Sequence, residues 1–290
     1  MAESMRVQIS DAGEVPKGDP RREERLPNVP RSQVEAAAQG KDFSCRHTAA
    51  EQRRSGASTL WQNLCKAWRV RYPTAILSFR CKLLYYPVPK AASSSVKRLI
   101  AKVEGKPYVG IPQHEIDFDL VWGAQAEQFS AFTSFTVVRN PWDRFLSCYL
   151  DKIRGRSQDP VYSGRPDIHE GFLRYNQIIG LELFHADMSF YEFATAVSWI
   201  PDYLADEHFR SQHRMFCAPN GRSLARRIIR FEELHAGIAP LFRDVEGGKI
   251  SLEFSNRTRH SNYRDFYDAA TRKIVSRRYR RDIERLGYQF

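Results

Sequence analysis

Lys90 stands just ahead of three hydroxyl residues, Ser93, Ser94 and Ser95, with only Ala91, Ala92 and the peptide backbone between. A positive charge followed by small hydroxyl side chains suits an anion such as a phosphate, provided a helix begins there and turns its first N–H groups outward. The flanks supply that setting. Leu83, Leu84, Tyr85, Tyr86 and Val88 form an apolar, aromatic strand signal stopped by Pro87 and Pro89, neither of which suits a central ladder. Val96, Leu99, Ile100 and Val103 then recur at helical spacing. The same residues also fit a plainer description, in which Ser93 to Ser95 are ordinary N-caps and Lys90 is a solvated loop residue.

A second segment, Phe135 to Ile153, repeats the order of strand, turn and helix with different polar groups. Phe145, Leu146, Tyr149, Leu150 and Ile153 mark a buried helical face, and Asn140-Pro141 is a helix-start signal. Arg139 closes the strand, and Ser147 follows two turns into the helix. An arginine so placed can fork two hydrogen bonds onto a phosphate while the serine hydroxyl takes a third oxygen. Alternatively, Arg139 packs on its own helix and Ser147 is a small residue at a helix crossing.

Taken together, the segments resemble the paired cofactor motifs of sulfotransferases that use 3′-phosphoadenosine 5′-phosphosulfate (PAPS), in particular the family 2 carbohydrate sulfotransferases of chondroitin and dermatan type. The motif for the 5′ phosphosulfate is similar to Pro89-Lys90-Ala91-Ala92-Ser93-Ser94-Ser95-Val96-Lys97-Arg98, and that for the 3′ phosphate to Val138-Arg139-Asn140-Pro141-Trp142 with Arg144, Ser147 and Tyr149. Asp206-Glu207-His208-Phe209, Cys217, Ile228 to Leu234 and Asp282 to Tyr288 look like further family landmarks, so the resemblance spans about residues 75 to 290. One departure is that the Golgi members carry a second cysteine shortly after the one matching Cys217, whereas Asn220 lies nearby here.

The resemblance implies the roles. Lys90 stabilises the leaving oxygen, the N–H groups of Ala92 to Ser95 with the Ser93 and Ser94 hydroxyls share the 5′ phosphate, and Arg139 and Ser147 hold the 3′ phosphate. Ala91 completes the loop. The general base is expected at His114, between the two motifs, with Glu115, Asp117 and His208 as competitors. Arg257 and Arg259 reach either the 3′ phosphate or an acidic acceptor, or are exposed loop charges. The acceptor implied is a hydroxyl of a carbohydrate, on a glycan or glycolipid, and no metal is required.

A kinase or other nucleotide-binding phosphotransferase is the competing class, since it too uses strand, loop and helix. Its pattern, G-x-x-x-x-G-K-[ST], places glycines in the loop and the lysine at its end. Here the lysine comes first and the loop has no glycine. An ATP site also wants an acidic residue ending a second strand for magnesium, and Val137-Val138 runs instead into Arg139.

The formal charge of +11 and the isoelectric point near 9.5 point to anionic partners without naming one. Arg272, Lys273, Arg277, Arg278, Arg280, Arg281 and Arg285 interleave with an apolar stripe, which predicts the solvated face of a terminal helix rather than a nucleic-acid surface. No run approaches the roughly 20 apolar residues of a membrane span. Five cysteines, odd in number and without C-x-x-C spacing, predict reduced thiols and a cytoplasmic setting.

Residues 1 to 58 read as a polar, disordered extension with a short helix near Val34 to Ala38, and residues 59 to 290 as the sulfotransferase domain. Helices are expected over Leu60 to Val70, Phe172 to Ile179 and Phe190 to Val197, a strand over Thr74 to Phe79, and a turn-rich insertion over Gly155 to Pro166. Strands alternating with helices predict an α/β, P-loop-like three-layer fold, its central sheet mostly parallel and flanked by helices, with ligands at the strands' carboxyl ends.

Overall fold

The computed structural model describes residues 73–154, 170–180, 182–243 and 262–290, all within one unit, Phe43–Phe290. The expected extension and domain boundary, the helix over Leu60 to Val70, the insertion from Gly155 to Pro166, and Arg257 and Arg259 lie outside the described residues.

Five strands form one sheet: β1 (Thr74–Ser78), β2 (Leu83–Tyr86), β3 (Leu120–Trp122), β4 (Thr133–Val138) and β5 (Arg227–Arg230), in the order β3-β1-β2-β4-β5. The sheet is mixed, which corrects the expectation of a mostly parallel one. β2, β4 and β5 run parallel, with Tyr86 beside Thr136 and Val138 beside Arg230, whereas β1 is antiparallel to both β2 and β3. The reason lies between Ser78 and Leu83. A parallel crossover needs a dozen or more residues, and this connection is a tight turn in which Lys82, at φ 51°, donates its N–H to the Phe79 carbonyl. The parallel half carries the two cofactor-like segments.

Each parallel strand feeds a helix. β2 leads into α1 (Ser93–Glu104), which buries Val96, Leu99, Ile100 and Val103, the four positions its spacing predicted. Gly105 ends it in the left-handed region at φ 71°, where its N–H reaches the carbonyls of Ala101 and Lys102. β4 leads into α2 (Pro141–Tyr149), capped by Asn140, whose Oδ1 accepts from the Trp142 N–H at 3.1 Å. A π turn over Leu150–Arg154 extends α2. Its buried face, with Phe145 and Tyr149, stacks against Phe190 and Phe193 of α4 (Phe190–Trp199), and Phe172 of α3 (Glu170–Ile179) joins the same aromatic core. Both helices fall where the apolar periodicity placed them.

After β5 come a short α5 (Leu234–Ile238) and then α6 (Ala269–Arg278) and α7 (Arg280–Leu286). The single terminal helix expected is therefore two. Tyr279 separates them: its ring is buried and its hydroxyl donates to the Phe209 carbonyl at 2.6 Å, anchoring the junction in the core. Arg272, Lys273, Arg277, Arg280, Arg281 and Arg285 are exposed, as a solvated face requires. Arg278 turns inward instead, donating to the Ile200 carbonyl and pairing with Asp202.

Candidate active site

The loop between β2 and α1 turns without glycine. Lys90 at φ 68° and Ala92 at φ 58° both take the left-handed conformation, which costs a non-glycine residue on the order of 1–3 kcal/mol. Such strain persists where surrounding contacts over-determine it, and here they do. The Ala91 N–H donates to the Val88 carbonyl at 3.2 Å, and the Pro89 and Lys90 carbonyls accept from Arg144 and Arg139.

The strained turn makes Ala92 the N-cap of α1, with no side-chain cap bond. Ser93 to Ser95 therefore take the first three helical positions rather than the N-cap that the plainer description gave them. The first N–H in the intrahelical ladder is that of Val96, bonded to the Ala92 carbonyl at 3.1 Å. The donors ahead of it belong to the set that every helix start must satisfy from outside. Ser94 is half-buried, while Ser93 and Ser95 are buried.

Arg139 meets this loop directly. Its Nη1 donates to the Lys90 carbonyl at 3.1 Å, its Nε to Asp143 Oδ2 at 2.7 Å, and its guanidinium lies 4.6 Å from the centre of the Phe231 ring. Arg139 thus does pack on its own helix, through Asp143, and also joins the two segments. Ser147 is buried on α2, two turns further on. The Lys90 ammonium lies 3.3 Å from Asp151 Oδ2 in the π turn. Burial lowers the Lys90 pKa, and the neighbouring Lys152 adds to that, while Asp151 and Cys148 oppose it. Burial would raise the Asp151 carboxyl, but Lys90 and Lys152 outweigh it and hold it at about 2.

A strand-fed, uncapped helix start, a lysine and an arginine all sit within one bonded cluster, and a family model described as Sulfotransferase family matches residues 73–289. The chain belongs to the sulfotransferase family. Searches of curated proteins and of solved structures returned no match.

Several residues that hold this candidate site together carried no role in the sequence. Arg144, almost fully buried, donates Nε to the Pro89 carbonyl at 2.8 Å, Nη1 to the Arg210 carbonyl at 2.8 Å and Nη2 to the Glu207 carbonyl at 3.0 Å. It fastens the Lys90 loop to the segment from Glu207 to Arg210. Gln212 grips the main chain of Arg139 from both sides, accepting its N–H at 2.9 Å and donating to its carbonyl at 2.8 Å. Asp282 of α7, fully buried, in turn accepts from the main-chain N–H groups of Gln212 and His213 and contacts His213 Nδ1 at 2.7 Å. The turn after β4 is held likewise: Glu232 accepts from the Asn140 N–H and from the Tyr288 hydroxyl. Glu232, Asp282 and Tyr288, from two of the family-like landmarks, thus buttress the Arg139 turn.

The candidate bases divide. His114 lies on the segment ahead of β3 with its side chain 76% exposed and Nε2 3.5 Å from Glu115 Oε1. Glu115 and Asp117 are exposed beside it. His208 is mostly buried, its Nδ1 2.7 Å from Asp206 Oδ1, and it rides on the segment that Arg144 ties to the Lys90 loop. Cys217 is buried and pairs with Ser223 in an isolated bridge. Asn220 accepts from the Arg222 N–H and shapes the turn between Cys217 and Ser223.

Proposed function

We propose that this sulfotransferase moves a sulfuryl group from PAPS to a hydroxyl of a carbohydrate acceptor, on a glycan or glycolipid, in the cytoplasm. The observation that carries the donor assignment is the bond from Arg139 to the Lys90 carbonyl, made across neighbouring parallel strands. It supports one ligand shared by the two anion-binding groups rather than two.

The residues fit a doubly phosphorylated nucleotide on their donor chemistry. One end of the cluster offers an ammonium, the helix-start N–H groups and serine hydroxyls, and the other a guanidinium with a buried hydroxyl. When bound, the donor supplies an activated sulfuryl group, whose bond to the nucleotide oxygen breaks as the acceptor oxygen bonds to sulfur and its proton passes to a base. Lys90 then faces the charge gathering on the departing oxygen. The α1 N–H groups of Ser93 to Ser95, with the Ser93 and Ser94 hydroxyls and the Ala92 N–H, hold the 5′ phosphate, while Ala91, whose N–H donates to the Val88 carbonyl, shapes the loop around it. Arg139 and Ser147 hold the 3′ phosphate, remote from the reacting bond.

Remoteness gives the test. Arg139→Ala is expected to weaken binding of adenosine 3′,5′-bisphosphate by about 10- to 100-fold and Ser147→Ala by several-fold, as loss of a charged and of a neutral hydrogen bond implies. Isothermal titration reads both, and unchanged affinities in the two variants would remove them from the site.

The base is proposed at His114 on its place in the chain, with His208 favoured by its contacts. His114→Ala should flatten the rise of turnover with pH, because a base works only once it has lost its proton. An unchanged profile in that variant, with the rise lost in His208→Ala, moves the role to His208. The carbohydrate acceptor rests on the resemblance of residues 89–98 and 138–149 to the chondroitin and dermatan enzymes. Transfer of radiolabelled sulfate to the source organism's own glycans tests it.

A further inference from the structure

Two ammonium groups converge on one carboxylate oxygen beside the strained loop. Lys90 Nζ lies 3.3 Å from Asp151 Oδ2, and Lys152 Nζ lies 3.2 Å from the same atom. Both lysine side chains are 12% exposed, and Asp151 is 33% exposed. The geometry is not that of a surface ion pair between neighbours on a regular helix. Asp151 sits in the π turn Leu150–Arg154, where the helix widens after Tyr149. Such turns alter the angular order of side chains and recur at functional sites. The turn keeps Ile153 buried, so the apolar face of α2 runs on into it.

We propose that Asp151 is a positioning residue for sulfuryl transfer: from the π turn, its carboxylate fixes the Lys90 ammonium beside the start of α1 and brings Lys152 next to it as a second cation. The proposal rests on the sulfotransferase reading of the Lys90 loop and adds to it the group that orients the reacting cation.

Charge accounts for why such a group is needed. Two ammonium groups held close together in a mostly buried place repel, and burial disfavours each. One carboxylate between them leaves a single net positive charge. The groups facing Lys90 are Asp151 and Lys152 from the π turn and Cys148 from α2, while Arg139 bonds to its carbonyl. Asp151 and Cys148 act to keep Lys90 protonated, and Lys152 acts against it. Cys148 is fully buried, and burial pushes its thiol up to about 12, so the neutral thiol is the form present near neutrality. That leaves Asp151 as the anion available to Lys90 there. With its own pKa near 2, Asp151 is a poor base for an acceptor hydroxyl, which leaves orientation as its part.

The two neighbours of Lys90 therefore make opposite predictions. In Asp151→Asn the fall of turnover at alkaline pH should move to lower pH by about 1–3 units, the effect of removing an opposite charge at contact distance. In Lys152→Ala the same limb should move to higher pH. A carboxylate that merely stabilised the fold would lower the melting temperature without moving the limb in either direction.

A second readout needs no turnover. Acetylation of Lys90 by acetic anhydride, followed by peptide mass spectrometry across a pH series, reports its protonation in the intact chain. The proposal expects the labelling midpoint to fall in Asp151→Asn and rise in Lys152→Ala, with adenosine 3′,5′-bisphosphate affinity within about threefold of the parent in Asp151→Asn. A Lys90 midpoint common to all three proteins would overturn it. If the midpoints move as expected but the parent transfers no sulfuryl group, the charge arrangement stands and the sulfotransferase reading of the loop falls.

Discussion

Lys90→Ala should lower turnover by about 100- to 1,000-fold, the usual loss when one preorganised donor is removed from a developing negative charge. Affinity for adenosine 3′,5′-bisphosphate should stay within about threefold, because a group that acts on the reacting bond contributes mainly in the transition state. The variant is a clean one on structural grounds. Ala92 shows that alanine tolerates the left-handed backbone of this loop, and Asp151 keeps Lys152 as a partner when Lys90 is gone. Single-turnover sulfuryl transfer and titration calorimetry separate the two effects. Equal losses in rate and in affinity would make Lys90 a binding group only.

Arg144→Met has the largest expected effect on stability. The guanidinium is almost wholly buried and satisfies three main-chain carbonyls, those of Pro89, Glu207 and Arg210. Methionine fills much of the same space but donates nothing, so three buried acceptors lose their partner at about 1 kcal/mol or more each. A loss of about 3–5 kcal/mol is expected, a large part of the 5–15 kcal/mol that holds a typical domain. Thermal melting would show it as a drop of roughly 10 °C for a domain of this size. A shift within 2 °C or so would mean that water or a shifted backbone replaces those bonds.

How much of this was legible from sequence depends on range. The strand before Lys90, the face of α1 and the cap at Asn140 are local patterns, set by residues within a turn or two, and the structure keeps them. The family landmarks were also visible, because they are runs of particular side chains. The direction of β1 was available and misjudged: four residues between strands make a hairpin, whatever the strand content on either side. The contacts that stiffen the site were not available. Gln212 meets Arg139 across 73 positions of chain, and Asp282 meets Gln212 across 70, with no local signal at either end.

Asp151 is an intermediate case. It follows Ser147 by one helical turn, so its nearness to the face that carries Ser147 could have been suspected, but the π turn that aims it at Lys90 leaves no sequence mark. Arg144 is a further case. It falls within the resemblance to the 3′ motif without a role of its own there, and all three of its bonds go to the main chain of its own fold.

The central claim is that the ends of β2 and β4 grip a single doubly phosphorylated adenine nucleotide between them. A thermal melt of the intact protein tests it most directly, run with adenosine 3′,5′-bisphosphate, with 5′-AMP and with ATP plus magnesium. Bisphosphate at about 100 times its dissociation constant should stabilise by about 2.7 kcal/mol, several degrees in the melt, with 5′-AMP at the same concentration well behind it. A shift with ATP alone, or equal shifts with 5′-AMP and the bisphosphate, would contradict the account.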